Sequence, residues 1–353
     1  MHEGSCPDVY LLMTPVSICL TTYNRAKVLP KTLNSLLAQT YGDFELIISD
    51  DCSPDETEEL CREYARKDRR VKYYQNKTNL KMPGNLNAAI RRASGAYIAN
   101  VHDGDVYNAD LIRKWKLALD AVPEAPFVFN GYRAVQRDGS LRTVVQFSEN
   151  RVAGATLAEY FFRTFSSCVW GTVMARASAY RRVGMFDPSF GFVSDVEMWL
   201  RLAYGSAVAY VPEPLIELVP REPNHPYFYF SWRILLWELA IFAKHWPKYR
   251  DLVTLDMSRD SYVALVRRRC LRGLLSLIRH RQWARVREGL AILRDSDDPV
   301  LRRIGLLFGN RNSRPDWFQP DCWRKIQLDG TTVPSPVPDT DSPESFQETD
   351  ARQ

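Results

Sequence analysis

The sequence has no apolar run of the roughly 18 residues that a membrane-crossing helix needs. It therefore predicts no transmembrane segment. The opening residues, MHEGSCPDVYLLMTPVSICLTTYN, carry no cluster of positive charge ahead of their short apolar stretch, which argues against a cleaved signal peptide. Cysteine is sparse, with seven scattered positions and no C-x-x-C pair. That usage speaks against a zinc ribbon and against a disulfide framework, and it predicts a reducing, cytoplasmic setting. What remains is the composition of an ordinary globular protein, 45% hydrophobic and 25% charged. The length suits one large domain with additions, or two domains. The net charge of +5 is unevenly spread: between 261 and 314 thirteen Arg stand against four acids, so the rest of the chain is net acidic.

The first third alternates buried-strand and amphipathic-helix patterns. Strands are expected at 16–20, 44–49, 71–75 and 96–101. Helices are expected at 27–39, with Leu29, Leu33, Leu36 and Leu37 on one face, at 53–68 and at 84–93. Ser53 is the expected N-cap of the second helix, with Pro54 at its first position and Glu56 completing a capping box. This rhythm predicts a parallel sheet with right-handed crossovers.

The strand at 96–101 runs into V-H-D-G-D, ending at Asp105. By itself this is either a solvated turn, since Asp and Gly are common turn residues, or a metal and phosphate site. Open parallel sheets bind ligands beyond the carboxyl ends of their strands. Three such ends are polar here: 21–25, Asp50–Asp51 and 103–105. Their expected convergence favours the site.

Farther along, 127–147 reads as strands closed by an Asp138-Gly139 hairpin turn. The stretch 185–205 reads as a loop and then a helix, with Val196, Trp199, Leu200 and Ala203 on one face and Asp195 at its N-terminal end. A strand is expected at 207–218 and helices from about 226. The tail 330–353, acidic and rich in Pro and Ser, is expected to be disordered.

Four separated segments, VSICLTTYNR, LNSLLAQTYGDFELIISDDCSPDET, NKTNLKMPGNLNAAIRRASGAYIANVHDGD and FVSDVEMWLRLA, occur in an order that resembles family-two glycosyltransferases. The resemblance covers about 16–221. It implies the GT-A fold: α/β, a Rossmann-like, mostly parallel sheet flanked by helices, here followed by a C-terminal helical extension. The implied division is 1–225 for the GT-A domain, 226–315 for a basic helical extension and 330–353 for the tail. Within the first part, about 14–105 would serve the nucleotide and about 106–225 the acceptor.

The resemblance also implies an inverting transfer from a nucleoside diphosphate sugar to an acceptor hydroxyl, in cell-surface polysaccharide or glycolipid assembly. UDP is the first expectation for the donor, with GDP or dTDP as alternatives, and the acceptor would be lipid-linked. Mn2+ or Mg2+ is the implied cofactor. Hard carboxylate oxygens suit such a cation, and the cation offsets the charge that develops on a diphosphate leaving group. By analogy Asp105 and Asp103 would hold the metal, Asp103 would also contact the ribose, and His225 would assist. Thr21, Tyr23, Arg25, Asp51 and Lys81 would line the nucleotide, with Asp51 on the base. Asp195 would be the general base. Two positions depart from the family's frequent pattern: Gly104 replaces an acid, which leaves the division of roles between Asp103 and Asp105 open, and Ser194 replaces an acid beside Asp195. A nucleotidyltransferase on a similar sheet and a scaffold with an inactive transferase fold stay open as other readings.

In the basic region, Trp283, Val286, Leu290 and Leu293 form a stripe among Arg281, Arg285, Arg287 and Arg294. This fits either a helical cap with a solvated basic face or attachment to an anionic membrane surface through 261–314, peripheral on the inner face. No recognition motif accompanies the arginines, so no nucleic-acid partner is expected.

Overall fold

The computed structural model describes residues 15–136, 139–219, 231–255, 257–296, 298–310 and 315. The first seven elements are β1 (Val16–Thr22), α1 (Leu29–Leu37), β2 (Phe44–Asp50), α2 (Thr57–Lys67), β3 (Val71–Gln75), α3 (Lys81–Arg92) and β4 (Tyr97–His102). There follow β5 (Val106–Tyr107), α4 (Leu111–Ala121), β6 (Phe127–Val135), β7 (Leu141–Val144), β8 (Arg151–Ala153), α5 (Gly154–Thr164), β9 (Val173–Arg176) and α6 (Ala177–Val183). A 3-10 turn (Pro188–Val193) leads into α7 (Ser194–Ala203) and then β10 (Ala207–Leu218). Four helices close the described chain: α8 (Trp232–Tyr249), α9 (Arg259–Arg279), α10 (Trp283–Leu293) and α11 (Pro299–Phe308).

The strands form one sheet in the order β3-β2-β1-β4-β9-β6-β10-β5, with β7 on β6 and β8 on β10. The β3-β2-β1-β4 half is parallel. The other half is mixed: β9 runs antiparallel to both β4 and β6, while β10 is parallel to β6 and antiparallel to β5 and β8. The parallel expectation thus fits the first half alone. The chain enters β9 opposite Asn100, near the carboxyl end of β4, and must run back from there.

Alternation along each strand feeds two layers of core. Ile18, Leu20, Leu46 and Ile48 pack with Leu33 and Leu36 of α1 and Trp115 of α4. Cys19 and Ile47 point the other way, to Leu86 and Ile90 of α3 and Trp199 of α7. A third core joins Phe161 and Phe162 of α5 to α8–α11. In it α8 lies tightly on α7 and the turn before it. Gly191 leaves no room for a side chain, since a Cβ would sit 2.4 Å from the Trp237 ring. The Tyr249 hydroxyl donates to the Leu200 carbonyl at 2.7 Å.

Three local expectations change. Helix α2 begins at Thr57, not at 53: its cap position is Glu56, which makes no side-chain capping bond, and the Thr57 amide donates instead to Asp55 Oδ1 at 3.2 Å. Ser53 instead donates its amide to Asp50. On α10, Val286 and Leu293 are buried as the stripe predicts, but Trp283 is exposed. The β6–β7 pairing fits the expected hairpin, although Asp138 lies outside the described residues, as do His225 and the 330–353 tail.

Candidate active site at the carboxyl edge of the sheet

Register brings the strand ends together: Thr21 pairs with Ser49 and His102, and Thr22 with Asp50. Thr21 lies within β1, one residue before its end. The loops that follow are laced to one another. The Asn24 amide donates to Ser53 Oγ at 2.9 Å, the Arg25 amide to Thr57 Oγ1 at 3.2 Å and the Ala26 amide to Asp55 Oδ2 at 3.0 Å. Burial would raise the Asp55 carboxyl, but donors from Thr57 and Ala26 hold it below its ordinary range. This lacing sets the backbone that carries Tyr23 and Arg25.

Asp50 and Asp51 are both buried, and each organises a loop. Asp50 accepts from the Tyr73 hydroxyl at 2.7 Å and the Ser53 amide at 3.1 Å. Asp51 accepts from Asn76 Nδ2 at 3.0 Å, the Leu80 amide at 2.7 Å and the Lys81 amide at 2.8 Å. Lys81 is held at φ +57°, in the left-handed region. Asp51 thus fixes the loop on which Lys81 stands. Three donors leave part of its acceptor capacity of about four lone-pair sites uncommitted.

The D-G-D turn is built by α1. Thr32 Oγ1 accepts from the Gly104 amide at 2.9 Å and donates to the Asp105 carbonyl at 2.8 Å. Gly104 sits at φ +95° with open space where a side chain would stand. That backbone geometry requires glycine, so the departure from an acidic residue at 104 follows from the shape of the turn. Arg25 Nε lies 3.8 Å from Asp103 Oδ2 and joins the β1 and β4 loops. Behind the turn, the Tyr107 hydroxyl accepts from the His102 amide at 2.8 Å and donates to the His102 carbonyl at 2.9 Å.

Asp195 comes to the same place from α7. Gly171, at φ +66°, is the contact point: a Cβ there would lie 2.8 Å from His102 Nε2 and 3.2 Å from Asp195 Oδ2. The first turn of α7 and the end of β4 therefore meet across one glycine. The Val196 amide donates to Asp195 Oδ1 at 2.8 Å. Burial pushes the Asp195 carboxyl up to about 6, against the pull of that amide. A partial opening to solvent remains at the residue.

Glu197 and Arg201 belong elsewhere. Glu197 is fully buried and meets Arg201 at 2.8 Å, Lys244 at 2.9 Å and His245 Nε2 at 3.2 Å. Burial alone would raise its carboxyl, but these donors hold it down to about 2. Arg201 also donates to the carbonyls of Val183 and Met185 at 2.7 and 2.9 Å, which ties down the segment before the 3-10 turn.

Sequence reasoning named Asp51, Asp103, Asp105 and Asp195 but missed Thr32, Asp55 and Gly171. Their contacts span 29 to 73 residues or meet across the fold, and no local pattern marks them.

A divalent cation suits this donor set in chemistry. Mg2+-type ions use one or two carboxylates and fill their remaining positions with water and substrate phosphate oxygens, and the D-G-D turn offers two carboxylates. Among the described residues no three His, Cys, Asp or Glu side chains form a metal-binding group. The phosphates of a substrate would have to complete the shell.

Comparison with known proteins bears on the fold. Residues 17–184 match the family described as Glycosyl transferase family 2, a match that ends before Asp195. An uncharacterized glycosyltransferase of Rickettsia prowazekii (strain Madrid E), RP339, is 28% identical over 205 residues, covering 57% of this chain and 63% of that protein. The chain thus spans less than two thirds of that relative's length. TuaG of Bacillus subtilis (strain 168), named for teichuronic acid biosynthesis, is 28% identical over 249 residues, 70% of this chain and 92% of that one. Among solved structures, S. aureus TarS 1–349 in complex with UDP-GlcNAc is similar with a TM-score of 0.57 at 17% identity, covering 89% of this chain and 90% of that chain. This likeness gives the architecture, a sheet flanked by helices with helices at its C-terminal end. The 17–184 segment is thus similar to glycosyl transferase family 2, and the architecture is that of the GT-A fold.

Proposed function

We propose that the protein is an inverting glycosyltransferase that moves a sugar from a nucleoside diphosphate donor to an acceptor hydroxyl in polysaccharide assembly. The observation that carries this reading is the meeting of Asp195 and the end of β4 across Gly171. It sets a carboxylate with a raised pKa beside a phosphate-suited turn, as direct displacement at an anomeric carbon requires. Asp195, at about 6, is ionised near neutral pH yet basic enough to take the acceptor proton. No covalent enzyme nucleophile is needed.

In this reading Thr21, Tyr23, Arg25, Asp51, Lys81 and Asp103 line the nucleotide. Asp51 combines two tasks, holding the 76–81 loop and accepting an N–H from the base. Asp105 and Asp103 hold Mn2+ or Mg2+, which when bound offsets the charge of the leaving diphosphate. Residues about 14–105 serve the donor and about 106–225 the acceptor. UDP is the proposed nucleotide: the TuaG name and the UDP-GlcNAc complex of TarS support cell-wall chemistry of this class. The test is a panel of UDP-, GDP- and dTDP-sugars with Mn2+ or Mg2+, followed by release of nucleoside diphosphate. Pyrophosphate release from a nucleoside triphosphate would instead support the nucleotidyltransferase reading. A thermal transition that no nucleoside diphosphate raises would support an inactive scaffold.

The acceptor is proposed to be lipid-linked and met at an anionic membrane surface. No helix among the described residues is long and apolar enough to cross a membrane. Yet α9–α11 expose Leu275, Ile278, Trp283, Leu306, Leu307 and Phe308. Exposed arginines accompany them, at 272, 279, 281, 302 and 303. Apolar side chains that enter the interface and basic ones that meet anionic headgroups are the ingredients of peripheral attachment. Sedimentation with phosphatidylglycerol vesicles, but not with phosphatidylcholine vesicles, is the expected result. Equal binding to both, or to neither, overturns it.

A further inference from the structure

Trp170 stands immediately before the glycine that touches Asp195. Its side chain is 50% exposed, unusual for so large an apolar group. The exposure is built by the fold. The Thr172 amide donates to the Trp170 carbonyl at 2.6 Å, closing a three-residue γ-turn whose centre is Gly171 at φ +66°. A side chain at 171 would strain that turn and collide with His102 and Asp195, so the turn cannot relax without disturbing the site. Before it, the Val169 amide donates to Ser167 Oγ at 3.0 Å, and the Cys168 carbonyl accepts from Gln146 Nε2 at 3.0 Å. On one side the indole leans on Tyr132, with ring centroids 5.6 Å apart and planes tilted by 35°. Tyr132 is on β6, in the half of the sheet away from the nucleotide side.

We infer that Trp170 is a stacking platform for a sugar ring of the acceptor, so that the acceptor hydroxyl is itself part of a saccharide. This rests on the glycosyltransferase reading above and narrows its acceptor class. A pyranose presents a face of C–H groups carrying partial positive charge, and an indole presents a negative face. An aromatic that packs on a neighbouring ring on one side and is half-exposed overall has area left to take such a face. Trp170 is one residue from Gly171, which lies against the Asp195 carboxylate, so the platform is proposed to present a hydroxyl of the bound ring to that carboxylate. A phosphate or an amino-acid hydroxyl would make no use of the indole face.

The test uses the full chain, its Trp170→Ala and Trp170→Phe variants, and a panel of neutral methyl hexosides, methyl N-acetylhexosaminides and their trisaccharides. Glycoside binding is followed by indole fluorescence, and transfer by product formation. Donor hydrolysis without acceptor is measured in parallel. The platform predicts that Trp170→Ala raises the acceptor KM on the order of tenfold with kcat little changed. It also predicts that Trp170→Phe recovers part of the loss, and that donor hydrolysis stays as in the unsubstituted chain. A glycoside-dependent fluorescence change absent from Trp170→Phe would support the platform even in a protein without transferase activity. An acceptor KM unaffected by Trp170→Ala, or no Trp170-dependent signal with any glycoside, overturns it. Donor hydrolysis missing from the unsubstituted chain would sink the glycosyltransferase reading instead.

Discussion

Asp195 and Glu197 stand two residues apart in the first turns of α7, and their carboxyls are driven in opposite directions. Burial acts on both. Asp195 faces the end of β4 across Gly171, makes no ion pair among the described residues, and is pushed up to about 6. Glu197 faces α8, where Lys244, His245 and Arg201 of its own helix overcome burial and hold it down to about 2. Burial also holds His245 below its ordinary range, against the pull of its contact with Glu197. Two positions along a helix turn a side chain by about 200°, enough to give one acid to the site and the other to the scaffold. The lesson is that a charged residue near a motif takes its role from what the other face of its helix meets.

The largest expected effect breaks the Asp195 side. Asp195→Asn should lower transfer on the order of 10³-fold while nucleoside diphosphate binding, measured by calorimetry, stays near that of the parent chain. Full transfer by the variant would remove Asp195 from the chemistry. Next comes the Glu197 side. Glu197→Ala leaves Lys244 and Arg201 without their shared carboxylate, and removing one partner of a buried charge group costs about 3–5 kcal/mol. Urea denaturation measures this, and a change below about 1 kcal/mol would mean that the cluster is better solvated than its geometry indicates.

The smallest effect sharpens the contrast through pH. Asp195 binds its proton more tightly folded than unfolded, so its contribution to stability is present below pH 3.8 and is lost as pH rises towards about 6. Glu197 does the reverse: its contribution is present above pH 4.5 and is lost as pH falls towards about 2. The urea midpoint should therefore show a falling limb between about pH 4 and 6 that Asp195→Asn removes, and an acid limb that Glu197→Ala removes. An unchanged falling limb in Asp195→Asn would assign it to another group.

Much of the parallel half of the fold was legible in the sequence, because strand and helix periods and turn residues act over a few positions. The convergence of 21–25, 50–51 and 103–105 followed from the topology of parallel strands alone. Where reading failed, a longer-range contact decided. Ser53 and Glu56 have the letters of a capping box, yet α2 starts at Thr57, whose amide donates to Asp55, an acid that also holds Ala26 of the β1 loop. Trp283 has the spacing of a core residue, yet α10 turns it outward. Beyond Arg201 one turn along its own helix, Glu197 carried no local sign of the groups that surround it, since Lys244 and His245 lie on α8, 47 and 48 residues away.

The sequence by itself determined which acids lie at strand ends and that Asp195 opens a helix, because those facts follow from hydrophobic period and local turn chemistry. Only the tertiary structure decided that Gly171 joins Asp195 to the end of β4, that Trp170 stands exposed beside them, and that Glu197 belongs to α8. Each of these depends on packing between segments far apart in the chain, and close approach in space leaves no period in the sequence that connects them.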